Sequence, residues 1–266
     1  MYKRIALLVL VAALAITTLV GCQPKSSTVQ IAGSTSMQKL NEVWAEKFME
    51  ANKNITINVT GGGSSAGLTA ATEGTAQLGA SSRSLKQEEK DKGLTEIQVA
   101  IDGIAIIVNK DNTVSDLSVE QLRKIYIGEF TNWQQVGGSS APILVITREA
   151  GSGTLDAFET LVMNKQEIMT NSNVQSATNG VRSVVQGDQN AIGFISLGSL
   201  NTDIKAVKIG GVEASEANIR SGSYGLWRPF VFSVKGQAQD PTKQFLDFVQ
   251  SDAGQNIAVS EGFFKK

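Results

Sequence analysis

The fold class is indicated above all by a repeated pattern, in which a strand leads into a turn of glycine, serine and threonine and then into a helix. The turns occupy residues 33–36, 61–67 and 151–154. Apolar residues alternate with polar ones before the first two turns, and apolar residues recur at helical spacing after the first. Strands that alternate with helices in this way favour an α/β fold with a mostly parallel sheet.

Further segments continue the pattern along the chain. Strands are predicted at 29–31, 55–59, 78–80, 101–108, 142–147, 191–196, 204–209 and 230–234. Helices are predicted at 36–51, up to Glu73, after the capping-box pair Ser118 and Gln121, after Thr154, and after an N-cap and N1 pair formed by Asp240 and Pro241. With 266 residues, the chain is long enough for one large domain or two of ordinary size.

The composition excludes several classes of function. Lysine and arginine number 24 against 25 aspartates and glutamates, and no basic block is present, so nucleic acid is not an expected partner. The sequence contains no histidine. This removes histidine-ligated zinc and every catalytic triad or dyad that uses imidazole as its base. We expect neither a metal nor another cofactor.

The first 22 residues are organised like a secretory signal. Lys3 and Arg4 precede an almost wholly apolar run at 5–20, which ends in the sequence Leu-Val-Gly-Cys at Cys22. This ending resembles the bacterial lipobox, in which the cysteine is lipidated and becomes the first residue. We predict a signal peptide at 1–21, lipidation at Cys22 and a polar tether at 22–27, with an uncleaved anchor helix as the alternative. Because Cys22 is the only cysteine, the mature chain has no intramolecular disulfide.

The three turns place backbone N–H groups and hydroxyls at the N-termini of helices. Such ends carry a partial positive charge and can bind an anion. Ordinary N-capping is the alternative, because serine and threonine are favoured there anyway. Arg148, four residues before Ser152, favours the anion-binding interpretation, since its planar side chain offers two parallel donors to an oxyanion.

Two enzyme motifs overlap in the second turn. Gly61-x-Gly63-x-x-Ala66 fits a relaxed dinucleotide fingerprint, but serines and an arginine stand near position 81, where an acidic residue is expected. Gly63-x-Ser65-x-Gly67 fits the nucleophile elbow of α/β-hydrolases, but its usual base is missing because the chain has no histidine. A Walker A loop is absent too, so we predict that the protein is not an enzyme.

Several segments together carry a resemblance to a known family. They are Gly33-Ser34-Thr35-Ser36, Gly63-Ser64-Ser65-Ala66-Gly67, Gly79-Ala80-Ser81-Ser82-Arg83, Arg148-Glu149-Ala150-Gly151-Ser152-Gly153-Thr154, Ala191-Ile192-Gly193-Phe194 and Trp227-Arg228-Pro229. This arrangement resembles the phosphate-binding protein of bacterial phosphate ABC transporters. The resemblance implies a type II periplasmic-binding fold, with two α/β lobes, two crossover strands at 101–108 and 230–234, and an anion in the cleft. The first lobe would comprise 28–107 plus 229–266, and the second 108–228.

The residues predicted to bind phosphate follow from the resemblance, except Asp102, which is assigned from its own position in the sequence. They are Ser34, Thr35, Ser36, Ser64, Ser82, Asp102, Arg148, Ser152, Gly153 and Thr154. Some members of the family carry an aspartate where this chain has Ser82, to accept the proton of hydrogen phosphate. Asp102 is our candidate replacement, because a carboxylate beside an apolar run needs a partner. A structural pair with Arg83 is the alternative.

The function implied by the resemblance is that of a non-enzymatic solute-binding lipoprotein. Anchored by lipid at the extracytoplasmic face of the cell membrane, it would capture inorganic phosphate and deliver it to the permease subunits of an ABC transporter. One alternative is the same fold binding another oxyanion, such as sulfate, molybdate or tungstate. Others are a secreted phosphoester hydrolase and a surface protein for adhesion or signalling.

Overall fold

The computed structural model describes residues 27–266. Its strands are β1 (Ser27–Gly33), β2 (Ile55–Thr60), β3 (Leu78–Ser81), β4 (Leu94–Asn109), β5 (Asp116–Leu117), β6 (Leu144–Arg148), β7 (Asn173–Gln175), β8 (Ala191–Ser196), β9 (Ile204–Ile209) and β10 (Trp227–Lys235). Its α-helices are α1 (Gln38–Ala51), α2 (Ser64–Glu73), α3 (Gln87–Asp91), α4 (Val119–Tyr126), α5 (Gly153–Phe158), α6 (Thr178–Gly187), α7 (Glu216–Arg220), α8 (Thr242–Gln250) and α9 (Asp252–Ser260). Short 3-10 helices lie at Trp133–Val136 and Leu197–Ser199, and a π-helical turn at Glu159–Met163 extends α5.

Strand β4 belongs to both halves of the sheet. Its first part pairs with β10, as far as Gly103 opposite Trp227, and its last residues pair with β8 and β9. The order along the sheet is β2-β1-β3-β10-β4-β8-β6-β7, with β9 and β5 added beside β4. We call β1–β3, β10 and helices α1–α3, α8 and α9 the first lobe, and β5–β9 with α4–α7 the second lobe.

The sheet is mixed: the prediction of a mostly parallel sheet is confirmed for the strand pairs that lack β4 and β10, and it fails at those two strands. Parallel pairs join β1 to β2 and β3 in the first lobe, and β6 to β7 and β8, and β5 to β9, in the second. The strands that cross between the lobes run antiparallel to their neighbours: β10 to β3 and β4, and β4 to β8 and β9. A chain that passes between two lobes and returns introduces these antiparallel pairs, which local strand and helix patterns do not predict.

Alternate residues of β4 enter two different cores, which explains its almost continuous apolar sequence. Ile104 and Ile106 face a cluster that contains Phe158 and Phe194, whose rings stack with centroids 4.1 Å apart. Ile107 faces the opposite cluster beneath α6. Burial of each large side chain contributes about 1.5–3 kcal/mol to folding, so both faces of this strand stabilise the second lobe.

The first lobe has helices on both faces of its sheet. One core holds Trp44 of α1, Phe232 of β10 and Phe245 of α8, and the other holds Leu68 of α2 and Val231 of β10. The indole Nε1 of Trp44 donates to the carbonyl oxygen of Gly254 at 2.8 Å, which fixes α9 against α1. The C-terminal helices therefore pack on the first lobe. The lobe boundaries at 107/108 and 228/229 remain a prediction.

Several element ends differ from prediction. Ser27, placed at the end of the tether, begins β1 opposite Ile55. Helix α1 begins at Gln38 because residues 35–37 form a turn. Pro241 occupies the N-cap position of α8, so Asp240 and Pro241 are not its N-cap and N1 residues. A further helix, α9, follows at once. Of the predicted caps, the capping box of Ser118 and Gln121 is confirmed.

Candidate functional site

The three predicted turns meet where the two lobes face each other. Two follow β1 and β2 in the first lobe, and the third follows β6 in the second. The amide of Gly63 donates to the carbonyl oxygen of Gly33 at 3.0 Å, and the amide of Ser65 donates to that of Gly151, also at 3.0 Å. The second hydrogen bond joins the lobes. The strand ends thus gather the polar turns into one cleft, as is usual for ligand sites in α/β folds.

Two glycines allow this close approach. Gly63 has φ of +88°, a conformation that other residues rarely adopt, and it precedes the first residue of α2. Gly153 starts α5 directly against the other lobe. A Cβ atom at Gly153 would lie 2.3 Å from Ser64 Oγ and 2.6 Å from Ser82 Oγ. Glycine at 153 therefore lets both serines reach the helix end.

Four hydroxyls from the two lobes form the centre of the site. Ser36 Oγ lies 2.9 Å from Thr154 Oγ1 and 3.2 Å from Thr178 Oγ1. Thr35 Oγ1 lies 3.4 Å from Thr178 Oγ1 and accepts a hydrogen bond from the Thr178 amide at 3.3 Å. Ser36, Thr154 and Thr178 are buried. Since a hydroxyl both donates and accepts, this cluster can adapt to a ligand with either kind of group.

Arg148 ends β6 and reaches the same hydroxyls. Its Nη1 donates to Thr178 Oγ1 at 3.3 Å and its Nη2 to Thr35 Oγ1 at 3.2 Å. The carboxylate of Glu149 accepts from Nε and Nη2, both at 2.9 Å. Only 2% of the Arg148 side chain is exposed, against 27% for Glu149. The neighbouring carboxylate orients the guanidinium, and the arginine presents a buried positive charge to the cleft.

The remaining predicted serines lie around this centre. Ser64 Oγ and Ser82 Oγ are 3.3 Å apart, both fully buried, and the Ser82 amide donates to Ser64 Oγ at 3.1 Å. Ser152 Oγ caps α5 by accepting from the Leu155 amide at 3.3 Å. The Ser34 amide donates to the carbonyl oxygen of Ala80 at 2.9 Å, which holds the first turn against β3. Sequence reasoning thus located the turns of both lobes.

Asp102 is fully buried, but its partner is not Arg83. Its Oδ1 accepts from Ser196 Oγ at 2.8 Å and from the Leu197 amide at 3.2 Å. Its Oδ2 accepts from Nε and Nη2 of Arg228, at 3.1 and 2.9 Å. Arg228 lies directly opposite Asp102 in the antiparallel β4–β10 pair, whereas β3, which Arg83 follows, lies on the far side of β10. The predicted Arg83–Asp102 pair is therefore wrong.

This pairing also bears on Asp102 as acceptor of a ligand's proton. Burial raises the pKa of Asp102, although the positive charge of Arg228 and hydrogen bonds from Ser196, Arg228 and Leu197 oppose the rise. Burial likewise lowers the pKa of Arg228, and Asp102 opposes that change. Both carboxylate oxygens already accept two hydrogen bonds each. A direct contact between Asp102 and a ligand would require one of these four donors to leave.

Arg83 makes an ion pair across the cleft instead. Its Nη1 and Nη2 donate to the two carboxylate oxygens of Glu89, at 2.8 and 2.7 Å, within the first lobe. Its Nε lies 2.5 Å from Asp156 Oδ2 on α5 of the second lobe. The Arg83 side chain is buried, and that of Asp156 is 23% exposed. A charged contact at the edge of the site thus joins the two lobes.

Sequence reasoning missed two residues of the site. Thr178 begins α6, a helix that was not predicted although Val181 and Val185 have helical spacing. Arg228 belongs to the Trp-Arg-Pro segment of the family resemblance, to which the sequence assigns no role in binding. Its Nη2 donates to Ser36 Oγ at 3.2 Å. Its role becomes visible only through the register of β10 against β4.

The chemistry of the site suits a tetrahedral oxyanion. Guanidinium and hydroxyl donors converge from both lobes, and short helices begin at Gly153 and Thr178 beside them. Within residues 27–266, histidine, cysteine, aspartate and glutamate side chains form no group of three that could hold a metal ion. In the same range, no helix combines the length and apolar character needed to cross a membrane.

Comparison with known proteins gives consistent matches. Residues 21–253 match the model of the PBP superfamily domain. The phosphate-binding protein PstS of Bacillus subtilis is 34% identical over 249 residues, which cover 91% of this chain and 82% of that protein. A phosphate ABC transporter substrate-binding protein with bound phosphate, from Clostridium perfringens, is 42% identical, with a TM-score of 0.88 over 90% of this chain and 99% of that chain. An ABC-type phosphate transport receptor from Vibrio cholerae is 35% identical, with a TM-score of 0.74 over 90% and 100% of the two chains.

These similarities extend over nearly the whole chain and agree with the architecture. The expected type II periplasmic-binding fold is confirmed, with two α/β lobes that share a sheet. The similar proteins are substrate-binding proteins of transporters rather than enzymes. The chain belongs to the PBP superfamily and, within it, to the family of phosphate-binding proteins of bacterial phosphate ABC transporters.

Proposed function

We propose that the protein is an extracytoplasmic solute-binding protein that binds inorganic phosphate between its lobes and delivers it to an ABC permease. The observation that carries the proposal is the convergence of Arg148 with hydroxyls from both lobes. It is supported by the similarity to the Clostridium perfringens protein, which is described with bound phosphate.

In this proposal each lobe supplies part of the donor shell. Thr35, Ser36 and Ser64 serve from the first lobe, and Arg148 and Thr154 from the second. Ser34, Ser82, Ser152 and Gly153 complete the proposed set. Contact between the lobes removes water from the anion, and charge-assisted hydrogen bonds strengthen as the local dielectric constant falls. Ligand binding then shifts the population from open forms toward the closed one.

The proton of hydrogen phosphate also needs an acceptor. Because the Asp102 oxygens are occupied, a hydroxyl oxygen of the cluster is the better acceptor, and Ser82 stands where relatives can carry an aspartate. A hydroxyl can turn its hydrogen away and accept. It repels sulfate less than a carboxylate does, so selectivity against sulfate is expected to rest on the shape and donor pattern of the whole cluster.

Calorimetric titration of the purified mature chain tests the ligand. Phosphate is expected to bind at a single site, and to stabilise the folded state by about 2.7 kcal/mol at a hundredfold excess over Kd. Sulfate and molybdate, titrated in parallel, are expected to bind more weakly. Heat from sulfate or molybdate without heat from phosphate would assign the site to another oxyanion.

We also propose that the protein has no catalytic role. The chain contains no histidine to serve as a base, and its relatives are transport proteins. Incubation with a chromogenic phosphate monoester is therefore expected to release no product beyond the buffer rate. Steady release that disappears in Arg148→Ala would support the hydrolase alternative.

We propose that the protein is anchored by lipid at the extracytoplasmic face of the cell membrane, as its N-terminal sequence predicts. Cys22, the predicted lipidation site, lies outside the residues that the structure describes. One acyl chain anchors a protein only weakly, so stable attachment requires more than one chain. Cys22→Ala is expected to release the protein from the membrane fraction or to leave the precursor uncleaved. A variant that fractionates and is processed like the wild type would contradict the lipoprotein proposal.

A further inference from the structure

Arg228 is buried in the wall of the cleft, where β10 and β4 lie opposite each other. Only 2% of its side chain is exposed. Its Nε and Nη2 both donate to Asp102 Oδ2, and Nη2 donates also to Ser36 Oγ. The guanidinium carbon lies 5.5 Å from the ring centre of Phe230. Together these contacts hold the guanidinium in one orientation.

Among residues 27–266, the third nitrogen of this guanidinium has no hydrogen-bond partner. Arg228 Nη1 is fully buried and makes no hydrogen bond within the described residues. Leaving a buried charged donor unpaired is costly, and such groups are rare in folded proteins. An unpaired donor beside an anion-binding cluster therefore points to a ligand as its partner.

Two hydroxyls connect Arg228 to Arg148. Arg228 Nη2 contacts Ser36 Oγ at 3.2 Å, Ser36 Oγ lies 3.2 Å from Thr178 Oγ1, and Thr178 Oγ1 accepts from Arg148 Nη1 at 3.3 Å. The two cations are close enough for Arg148 to contribute to the lowered pKa of Arg228, after the larger effect of burial. An anion placed between them would offset this repulsion.

The carboxylates beside the two arginines are already engaged in holding them. Glu149 accepts from Nε and Nη2 of Arg148, and Asp102 accepts from Nε and Nη2 of Arg228. In both pairs the carboxylate accepts from Nε and Nη2 of the guanidinium, so Nη1 makes no hydrogen bond to that carboxylate. The two ion pairs thus share the use of Nε and Nη2, although Arg148 binds both oxygens of Glu149 and Arg228 binds only Oδ2 of Asp102.

We propose that Arg228 is a second anion-binding arginine, which donates to phosphate through Nη1, and that Asp102 is the residue that positions it. The proposal rests on phosphate being the ligand of this site. It gives Asp102 a different part from the proton acceptor expected from the sequence. The anion lies between two guanidinium groups, each held by its own carboxylate.

The test uses a double variant, because removing Arg228 alone leaves Asp102 buried without a counter-charge. Arg228→Met with Asp102→Asn removes both charges, and the asparagine keeps an oxygen for Ser196 and Leu197. We expect the unliganded melting temperature to stay close to wild type and the Kd for phosphate to rise roughly ten- to a hundredfold. The matched control is Arg123→Met with Glu120→Gln, an ion pair on α4 whose arginine otherwise contacts Val162. It should leave Kd unchanged.

A single variant keeps the test decisive if the double variant does not fold. Arg228→Lys retains the counter-charge of Asp102 but loses the forked donor, and we expect a Kd raised about tenfold. Wild-type affinity in a folded double variant, or in Arg228→Lys, would overturn the proposal and leave Arg228 a structural partner of Asp102. If the wild-type protein itself binds no phosphate, the proposed function fails instead, so the two failures are distinguishable.

Discussion

Replacing Arg148 by alanine is expected to weaken phosphate binding by roughly a hundredfold to ten-thousandfold. The variant loses two charge-assisted hydrogen bonds, which contribute about 1.5–3 kcal/mol each. Arg148 presents its charge to the hydroxyls of both lobes, so no neighbouring side chain on β6 can replace it. Calorimetric titration measures the loss, and the gain in Tm produced by phosphate should largely disappear.

The unliganded protein should melt near its usual temperature. Glu149, which loses its partner in this variant, keeps 27% of its side chain exposed and can be solvated by water. Arg148→Lys retains the positive charge but loses the forked pair of donors. Its affinity for phosphate is expected to lie between those of the wild type and Arg148→Ala. Arg220→Ala, at an exposed arginine of α7, serves as the control and should bind phosphate like the wild type. An undiminished phosphate response in Arg148→Ala would place the binding site elsewhere.

Gly153→Ala is expected to weaken phosphate binding about five- to a hundredfold, from an overpacking cost of about 1–3 kcal/mol. The added Cβ would meet Ser64 Oγ at 2.3 Å and Ser82 Oγ at 2.6 Å, both on the opposite lobe. The collision arises only where the lobes touch, so it opposes the closed form. Isothermal titration gives the affinity, and small-angle X-ray scattering with phosphate should show a less compact particle than the wild type.

Gly187→Ala provides the matched control for this substitution. Gly187 is the last residue of α6, and a Cβ there would meet no atom within 4 Å. Alanine in either helix is favoured over glycine, so neither variant should unfold more easily without ligand. Wild-type affinity in Gly153→Ala would mean that the two serines move aside freely, and would remove them from the proposed donor shell.

The local features of the site could be predicted from the sequence. A turn of glycine and hydroxyl residues before a helix is encoded within a few neighbouring positions, and the structure brings the turns that end at Ser36 and Thr154 together. Arg148 was singled out for the same reason, since it closes a strand directly before such a turn. The preference of glycine for turns and of serine and threonine for helix N-termini is a property of the residues themselves, so it can be inferred from the sequence.

The partners of the charged residues could not be predicted in that way. Asp102 meets Arg228 across 126 residues because β4 and β10 pair in one register, and a shift by one residue would turn Arg228 to the other face. The Arg83 hypothesis failed because strand order, rather than distance along the chain, decides which charges meet. Thr178 was missed because its contacts with Thr35, Ser36 and Arg148 join residues that are far apart in the sequence.

The ion pair between Arg83 and Asp156 has a consequence for the rate at which the site empties. The pair spans the two lobes but lies outside the cluster of hydroxyls and arginines proposed to hold the anion. In the proposed complex, phosphate cannot leave until the lobes separate, and the lobes cannot separate until this ion pair breaks. Breaking this ion pair therefore contributes to the activation free energy of phosphate dissociation. The residence time of the ligand then depends on two residues that need not touch it. A permease that offers either charge a new partner would shorten that time without competing for the anion.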